Sequence, residues 1–342
     1  MVDTSQETTS FVATTGLLSA DKDLEIDKPT NYADNAVYTF IFSENSMVPE
    51  GGYIRIDFPD DVIFDAEAIL KVESCDPAVA TCTVASDNER SIIIKTITQV
   101  EREVQVKHKL GGIKNARSYA PSGTFAITTF DTDSVSVIDT GFNKNVATST
   151  AGDITFEPIG RESDVNGDIN TYTFELTTTI PMLPTDVLKF TVPDQIVMNA
   201  GGLITLCTPK NPDDEIVCGI SGHDVQITIK KLAARDLLDP ADLTNYSQKL
   251  GWTMNNIANP ASVQTSDGFQ DIRFLTEGNY LISENKEVDG AVPVTNLKPG
   301  IIIDSNLFQD SLQADTNNNY TITFTPINAL PAAGSIKLKY PE

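Results

Sequence analysis

Histidine, the usual proton shuttle near neutral pH, occurs only twice in 342 residues, as His108 and His223. His108 lies in an alternating run (Val104, Val106, His108, Leu110) that predicts a surface or strand-flank position, and His223 follows Ser221-Gly222 in what reads as a turn. The stretch Gly219-Ile220-Ser221-Gly222-His223 lacks the Gly-x-Ser-x-Gly spacing of a nucleophile elbow, and no glycine-rich phosphate loop or dinucleotide fingerprint occurs. Acidic pairs such as Asp60-Asp61 and Asp213-Asp214 are what chance places in so acidic a chain. The expectation is a protein that is not an enzyme.

Basic residues are also scarce. Lysine plus arginine number 24 against 48 aspartate plus glutamate, a formal charge of -24 that repels a phosphate backbone and excludes nucleic acid as a partner. No apolar run reaches the roughly 18 residues of a membrane span, and residues 1–20 lack a basic stretch followed by an apolar one, so a secretion signal would have to lie outside this segment. Cysteine occurs four times with no Cys-x2-Cys spacing, which leaves zinc no ligand set.

What is present is repetition. Tyr38-Thr39-Phe40-Ile41-Phe42, a loop with Pro49, then Ile54, Ile56, Phe58 and Pro59 recur as Tyr172-Thr173-Phe174-Glu175-Leu176, Pro184, Leu188, Phe190, Val192 and Pro193. A third copy reads Tyr320-Thr321-Ile322-Thr323-Phe324, Pro331, Ile336, Leu338, Tyr340 and Pro341. Each copy alternates apolar and polar residues with period two on both sides of its loop, the pattern of half-buried strands, and the closing proline has no N–H to continue a ladder. A second block repeats at an offset of 144, with Ile113, Asn115, Ser118, Phe125 and Phe130 matching Ile257, Asn259, Ser262, Phe269 and Phe274.

Further strand-like runs cover 91–97 and 225–231, and 104–110 in the first unit only, while 233–238 is the best helical stretch, stopped by Pro240. Many short strands with turn-rich connections predict an all-β chain of tandem immunoglobulin-like β-sandwich modules. The boundaries read as 1–30, the end of a preceding unit and linker; 31–165, unit 1; 166–312, unit 2; and 313–342, the first strands of a third. Residues 11–16 resemble the unit end at 146–152, so the chain is expected to sample a longer repetitive polypeptide. A sharper expectation is that exposed terminal strands pair with copies of the same chain, head to tail.

The cysteines form two close pairs at matching places, Cys75 with Cys82 and Cys207 with Cys218, and short loops favour a disulfide within each pair. Paired disulfides imply an extracellular or cell-surface location. Asn245 and Asn319 head Asn-x-Ser/Thr sequons, making glycosylation and glycoprotein character compatible with that location. Asp164, Asn166 and Asp168 place oxygen side chains at alternate positions as calcium loops do, although Ile169 stands where such loops need glycine. Calcium is therefore the cofactor to test, against the alternative that Asx residues simply make turns before strands.

The Tyr-Thr-Phe segment, the proline, the alternating aliphatics ending in Phe-Pro and the Ile-x-Asn-x-x-Ser block together resemble repeats of very large surface and extracellular proteins of ciliates and related protists. The resemblance spans nearly the whole chain and implies tandem sandwiches forming filaments, coats or matrix. Its motifs are structural, and unit 2 departs from them with Val192-Pro193. An adhesin or carbohydrate-binding surface module is the alternative function, with glycans as partners. Trp252, the sole tryptophan, reads as a packed anchor and not a sugar platform.

Overall fold

The computed structural model describes residues 15–18, 22–64, 80–84, 90–157, 159–233, 248–263, 266–285, 294–295, 297–310, 317–326, 330 and 334–339. They divide between two compact units, Met1–Ala151 and Gly152–Glu342. Strands account for nearly all regular structure, and a short 3-10 turn at Ala200–Gly202 is the one helical element among the described residues. The helical stretch expected at 233–238 falls, beyond Ala233, outside them.

The first unit holds β1 (Gly16–Leu17), β2 (Asp23–Ile26), β3 (Ala36–Ser43), β4 (Tyr53–Asp57), β5 (Ile63–Phe64), β6 (Ala80–Val84), β7 (Ser91–Thr96), β8 (Gln105–Lys114), β9 (Phe125–Phe130) and β10 (Val137–Lys144). One sheet runs β1-β10-β9-β4-β7-β6 and the other β2-β3-β8-β5. The period-two pattern puts Tyr38, Phe40 and Phe42 of β3 and Ile54 and Ile56 of β4 at 1% exposure or less, in one core with Phe58, Ile92, Ile94, Leu110, Phe125 and Phe142. Phe125 lies at its centre, its ring 5.4 Å from Phe58, 5.5 Å from Phe40 and 5.7 Å from Tyr38. Such ring pairs each add about 0.5–1.5 kcal/mol beyond the area they bury.

The second unit repeats this plan with β11 (Gly152–Phe156), β12 (Gly160–Arg161), β13 (Ile169–Thr178), β14 (Val187–Thr191), β15 (Cys207–Pro209), β16 (Glu215–Ser221), β17 (Asp224–Lys231), β18 (Gln248–Ala258), β19 (Gln270–Leu275) and β20 (Leu281–Glu284). Strand β13 takes the place of β3, and β18 that of β8. Phe40 faces His108 across the β3–β8 ladder, and Phe174 faces Trp252 across β13–β18. The strand expected in the first unit only therefore has a counterpart in β18. Its alternation is hidden by a bulge where Asn256 takes a left-handed conformation (φ 55°), matching Gly112 (φ 72°) in β8, and each ladder shifts register there.

In both units the first strand runs parallel to the last, Gly16 opposite Asp139 and Gly152 opposite Ser283, while the next residues turn antiparallel to β3 or β13. A Cβ at either crossing would have to displace a neighbouring side chain: at Gly16 it would sit 1.9 Å from the Asp139 carboxylate, and at Gly152 2.4 Å from Ile180. A first strand shared between two packed antiparallel sheets makes each unit an immunoglobulin-like β-sandwich.

Beyond β20, β21 (Ile302–Gln309) and β22 (Tyr320–Pro326) form a separate antiparallel pair. The third copy's second arm, expected around Ile336 and Leu338, makes no strand in 334–339, where these side chains are exposed. Strand β4 is hydrogen-bonded on both edges, by β7 and β9, and among the described residues 334–339 has neither neighbour.

Candidate functional site

The two repeat blocks meet inside each sandwich. The Tyr38 hydroxyl donates to Asn115 Oδ1 at 2.9 Å, and the Tyr172 hydroxyl donates to Asn259 Oδ1 at 2.7 Å. The Asn115 amide donates to the carbonyls of Lys28 (2.6 Å) and Thr30 (2.8 Å); that of Asn259 donates to Ser163 (3.0 Å) and Val165 (2.6 Å). The asparagine thus ties the loop preceding the tyrosine strand to the strand on that tyrosine's far side. All four side chains are at most 1% exposed, and burial holds both phenols above their ordinary pKa, so each remains a donor at any physiological pH.

The Asx-rich loop lies beside this clasp. Asp164 accepts from Arg161 at 2.9 Å and stands 3.6 Å from Lys298, and its carboxyl lies below the usual range because of the Arg161 hydrogen bond. The Asn166 amide donates to the Ala261 carbonyl at 2.7 Å and its Oδ1 accepts from the Gly300 amide, while Asp168 accepts from the Ser163 hydroxyl at 2.6 Å. The three side chains expected to face calcium each engage protein partners in this arrangement. Among the described residues no three His, Cys, Asp or Glu side chains cluster as a metal site would need.

Cys207 and Cys218 form a disulfide. Strands β15 and β16 are the two ends of the strand path β15-β18-β13-β11-β20-β19-β14-β17-β16, so this bond fastens together edges that main-chain hydrogen bonding leaves apart. Reduction, or replacement of both cysteines by alanine, is expected to cost about 2–3 kcal/mol of stability in this unit alone, read as a lowered calorimetric transition that leaves the first unit unchanged. Cys75 lies outside the described residues. In the backbone, Cys82 pairs with Ile94, which pairs in turn with Ile54; Cys218 pairs with Ile227, which pairs with Leu188. Ile54 and Leu188 are themselves matched in the repeat, so Cys82 and Cys218 hold equivalent places.

His108 is buried at 4% exposure, its ring 5.7 Å from Phe42, which corrects its expected surface position: it shares the inward face of β8 with Leu110. Trp252 occupies the equivalent place, fully buried and stacked on Phe174 at 5.2 Å. His223 stands at the β16–β17 turn, 4.0 Å from Asp194. Asn319 is exposed just before β22, and Asn245 lies outside the described residues.

One feature of the first unit gave no sequence signal. Glu44, six residues after Tyr38, is completely buried, and neither carboxylate oxygen has a hydrogen-bond partner among the described residues. Asp139, also fully buried, accepts from the Ser46 amide (2.7 Å) and hydroxyl (3.0 Å). The matching places in the second unit hold Thr178 and Ser283, whose hydroxyls are 3.4 Å apart. Desolvation pushes the Glu44 carboxyl up to about 7; its own backbone N–H offsets part of that rise, and the charge of Asp139 adds to it.

No known protein family and no curated protein matches the chain. Solved structures do. The C-terminal domain of the Streptococcus pyogenes antigen I/II-family protein AspA is 11% identical, over 79% of this chain and 97% of that one, with a TM-score of 0.25. The B domain of a biofilm associated protein is 9% identical, over 76% and 82%, with a TM-score of 0.25. Collagen adhesin (CNA) from S. aureus is 10% identical, over 92% and 99%, with a TM-score of 0.19. Similarity this low assigns no function, and the fold rests on the strand registers. The resemblance to protist repeats finds no support in a family match.

Proposed function

We propose that the chain is a run of tandem sandwich modules from an extracellular surface protein of adhesive type. The observation that carries this reading is the duplicated Tyr–Asn clasp: in both units the buried polar side chains of the repeat are spent on holding the same loop and strands together. Modules so built keep a fixed form while their outer faces remain open to sequence change. The disulfide of the second unit adds to this, since such bonds persist in oxidising surroundings, and the Cys75–Cys82 pair would complete the plan in the first.

A contact face is available in the second unit. Strands β14, β16, β17 and β19 present an open concavity of about 950 Å³, lined among others by Lys189, Gln226, Asp271, Arg273 and Asn279. Its mixed charges and amides suit polar ligands, glycans included, better than apolar ones. Calcium at Asp164, Asn166 and Asp168 and glycans on Asn245 and Asn319 belong to the same reading.

Two measurements test it. A membrane-impermeant reagent applied to intact source cells should label the protein, and the purified chain should bind host or matrix glycoproteins with affinity lost in Arg273→Glu. Absence of surface labelling would remove the extracellular assignment; unchanged binding by Arg273→Glu would remove this face. The second reading, a filament or coat built head to tail, is favoured by the exposed strand pair at 302–326, and negative-stain images of native material would separate the two.

A further inference from the structure

In the second unit the segment between β14 and β15 runs along the edge of β18, leaves it, and returns. Val197 pairs with Ala258 and Leu206 with Asn255, and between them Asn199, Gly201 and Gly202 take left-handed conformations (φ 55°, 67° and 77°) that close a tight loop. The Asn199 N–H donates to Thr205 Oγ1 at 2.9 Å and the Thr205 N–H donates to Asn199 Oδ1 at 2.7 Å, a reciprocal pair across the neck of the loop. Asn256, at the bulge of β18, donates its amide to the Ile204 carbonyl at 2.8 Å, and Asn255 Oδ1 accepts from the Leu206 N–H at 2.9 Å. Gly112 holds the equivalent bulge in the first unit and has no amide to offer.

This fixed loop presents aliphatic side chains to solvent. Leu203, Ile204 and Leu206 are each more than half exposed, Ile204 at 74%, and so are Val197 and Ile169, which flank Ala258 on one face of the sheet. Ile169 also reaches the turn, since a Cβ on Gly201 would lie 2.9 Å from its Cδ1. No residue from Gln195 to Pro209 is charged, although the chain carries -24. Contiguous apolar surface marks an interaction site, and a loop already held in shape loses little freedom when it is covered.

Its composition selects the partner. Protein contacts draw on Trp, Tyr and Arg and on hydrogen bonds to the other side; the loop has none of these residues, and its asparagine and threonine side chains are spent within it. A second copy would bring a further charge of -24, which repels. Hydrocarbon asks only for aliphatic side chains on a backbone whose polar groups are satisfied from within. We infer that Leu203, Ile204 and Leu206 insert into the surface of an uncharged phospholipid bilayer, with Val197 and Ile169 beside them. The loop borders β18, whereas the polar concavity is built from β14, β16, β17 and β19, so this contact goes beyond the glycan-binding reading and does not depend on it.

The test mixes the full chain with vesicles of phosphatidylcholine alone and separates bound from free by flotation. Reversible binding is expected, with amide exchange over 200–206 slowed severalfold on the vesicles. Ile204→Asp should lower the partition coefficient about tenfold or more, because it withdraws an aliphatic side chain and adds a charge, while both calorimetric transitions stay in place. Arg273→Glu should bind vesicles as the parent chain does, which tells failure of the lipid contact from failure of the polar face. Phosphatidylserine in the vesicles should weaken binding. No flotation, equal binding by Ile204→Asp, unchanged exchange over 200–206 or tighter binding to anionic vesicles would each overturn the inference. So would a parent chain that is dimeric where Ile204→Asp is monomeric, which would assign the loop to a second copy.

Discussion

Replacing Asn259 with alanine is expected to destabilise the second unit by about 3 kcal/mol or more, because it strands the Tyr172 hydroxyl and the carbonyls of Ser163 and Val165 without solvent to replace the lost bonds. Asn115→Ala should do the same to the first unit through Tyr38, Lys28 and Thr30. The tyrosine side of the clasp should respond unequally. Asn259 Oδ1 also accepts from the Asn170 amide at 3.2 Å, so Tyr172→Phe leaves it a donor and should cost about 1 kcal/mol, while Tyr38→Phe should cost about 2. Chemical unfolding followed by hydrogen exchange resolves the units. A loss below about 1 kcal/mol for either asparagine would mean that water satisfies the loop and that the clasp is not what unites the two repeat blocks.

The first unit should be more stable at mildly acidic than at alkaline pH, and Glu44 is the cause. Its carboxyl has an ordinary value of 4.5 in an open chain and about 7 when folded. The folded state therefore binds the extra proton between those values. Stability from this group is complete below about 4.5, declines as pH rises through the window, and is gone above about 7. At about 1.4 kcal/mol per unit of difference, the loss is roughly 3 kcal/mol. Glu44→Gln should abolish the dependence and make the unit more stable than the parent chain at pH 8. Asp133 opposes the trend at the acid end, because hydrogen bonds from Ser136 lower its pKa and that stabilisation disappears once it protonates. The second unit, with hydroxyls at Thr178 and Ser283, should show no such alkaline decline. Equal pH profiles for the two units, or a Glu44→Gln variant no more stable at pH 8, would place a counter-charge beside Glu44.

These expectations also separate what could be read along the chain from what could not. Period-two alternation and fixed offsets are local, linear properties. They made the strands, the inward rows of Tyr38, Phe40 and Phe42 with their copies, and the matching cysteine positions legible without coordinates. Where alternation breaks, reading failed: the bulge at Asn256 concealed β18, and a histidine in an alternating run looked like a surface residue because nothing local tells which face meets the core.

The clasp joins side chains 77 and 87 residues apart. Both members stood in the repeat blocks, yet their meeting depends on β8 and β18 lying beside β3 and β13, a long-range choice made by the whole sandwich. Glu44 and Asp139 are likewise ordinary acidic residues until strand packing removes water from them. Periodicity and repetition are written in residue order, so sequence reveals them; burial, apposition and the dielectric around a charge arise from contacts between distant segments, and exist only once the chain has folded.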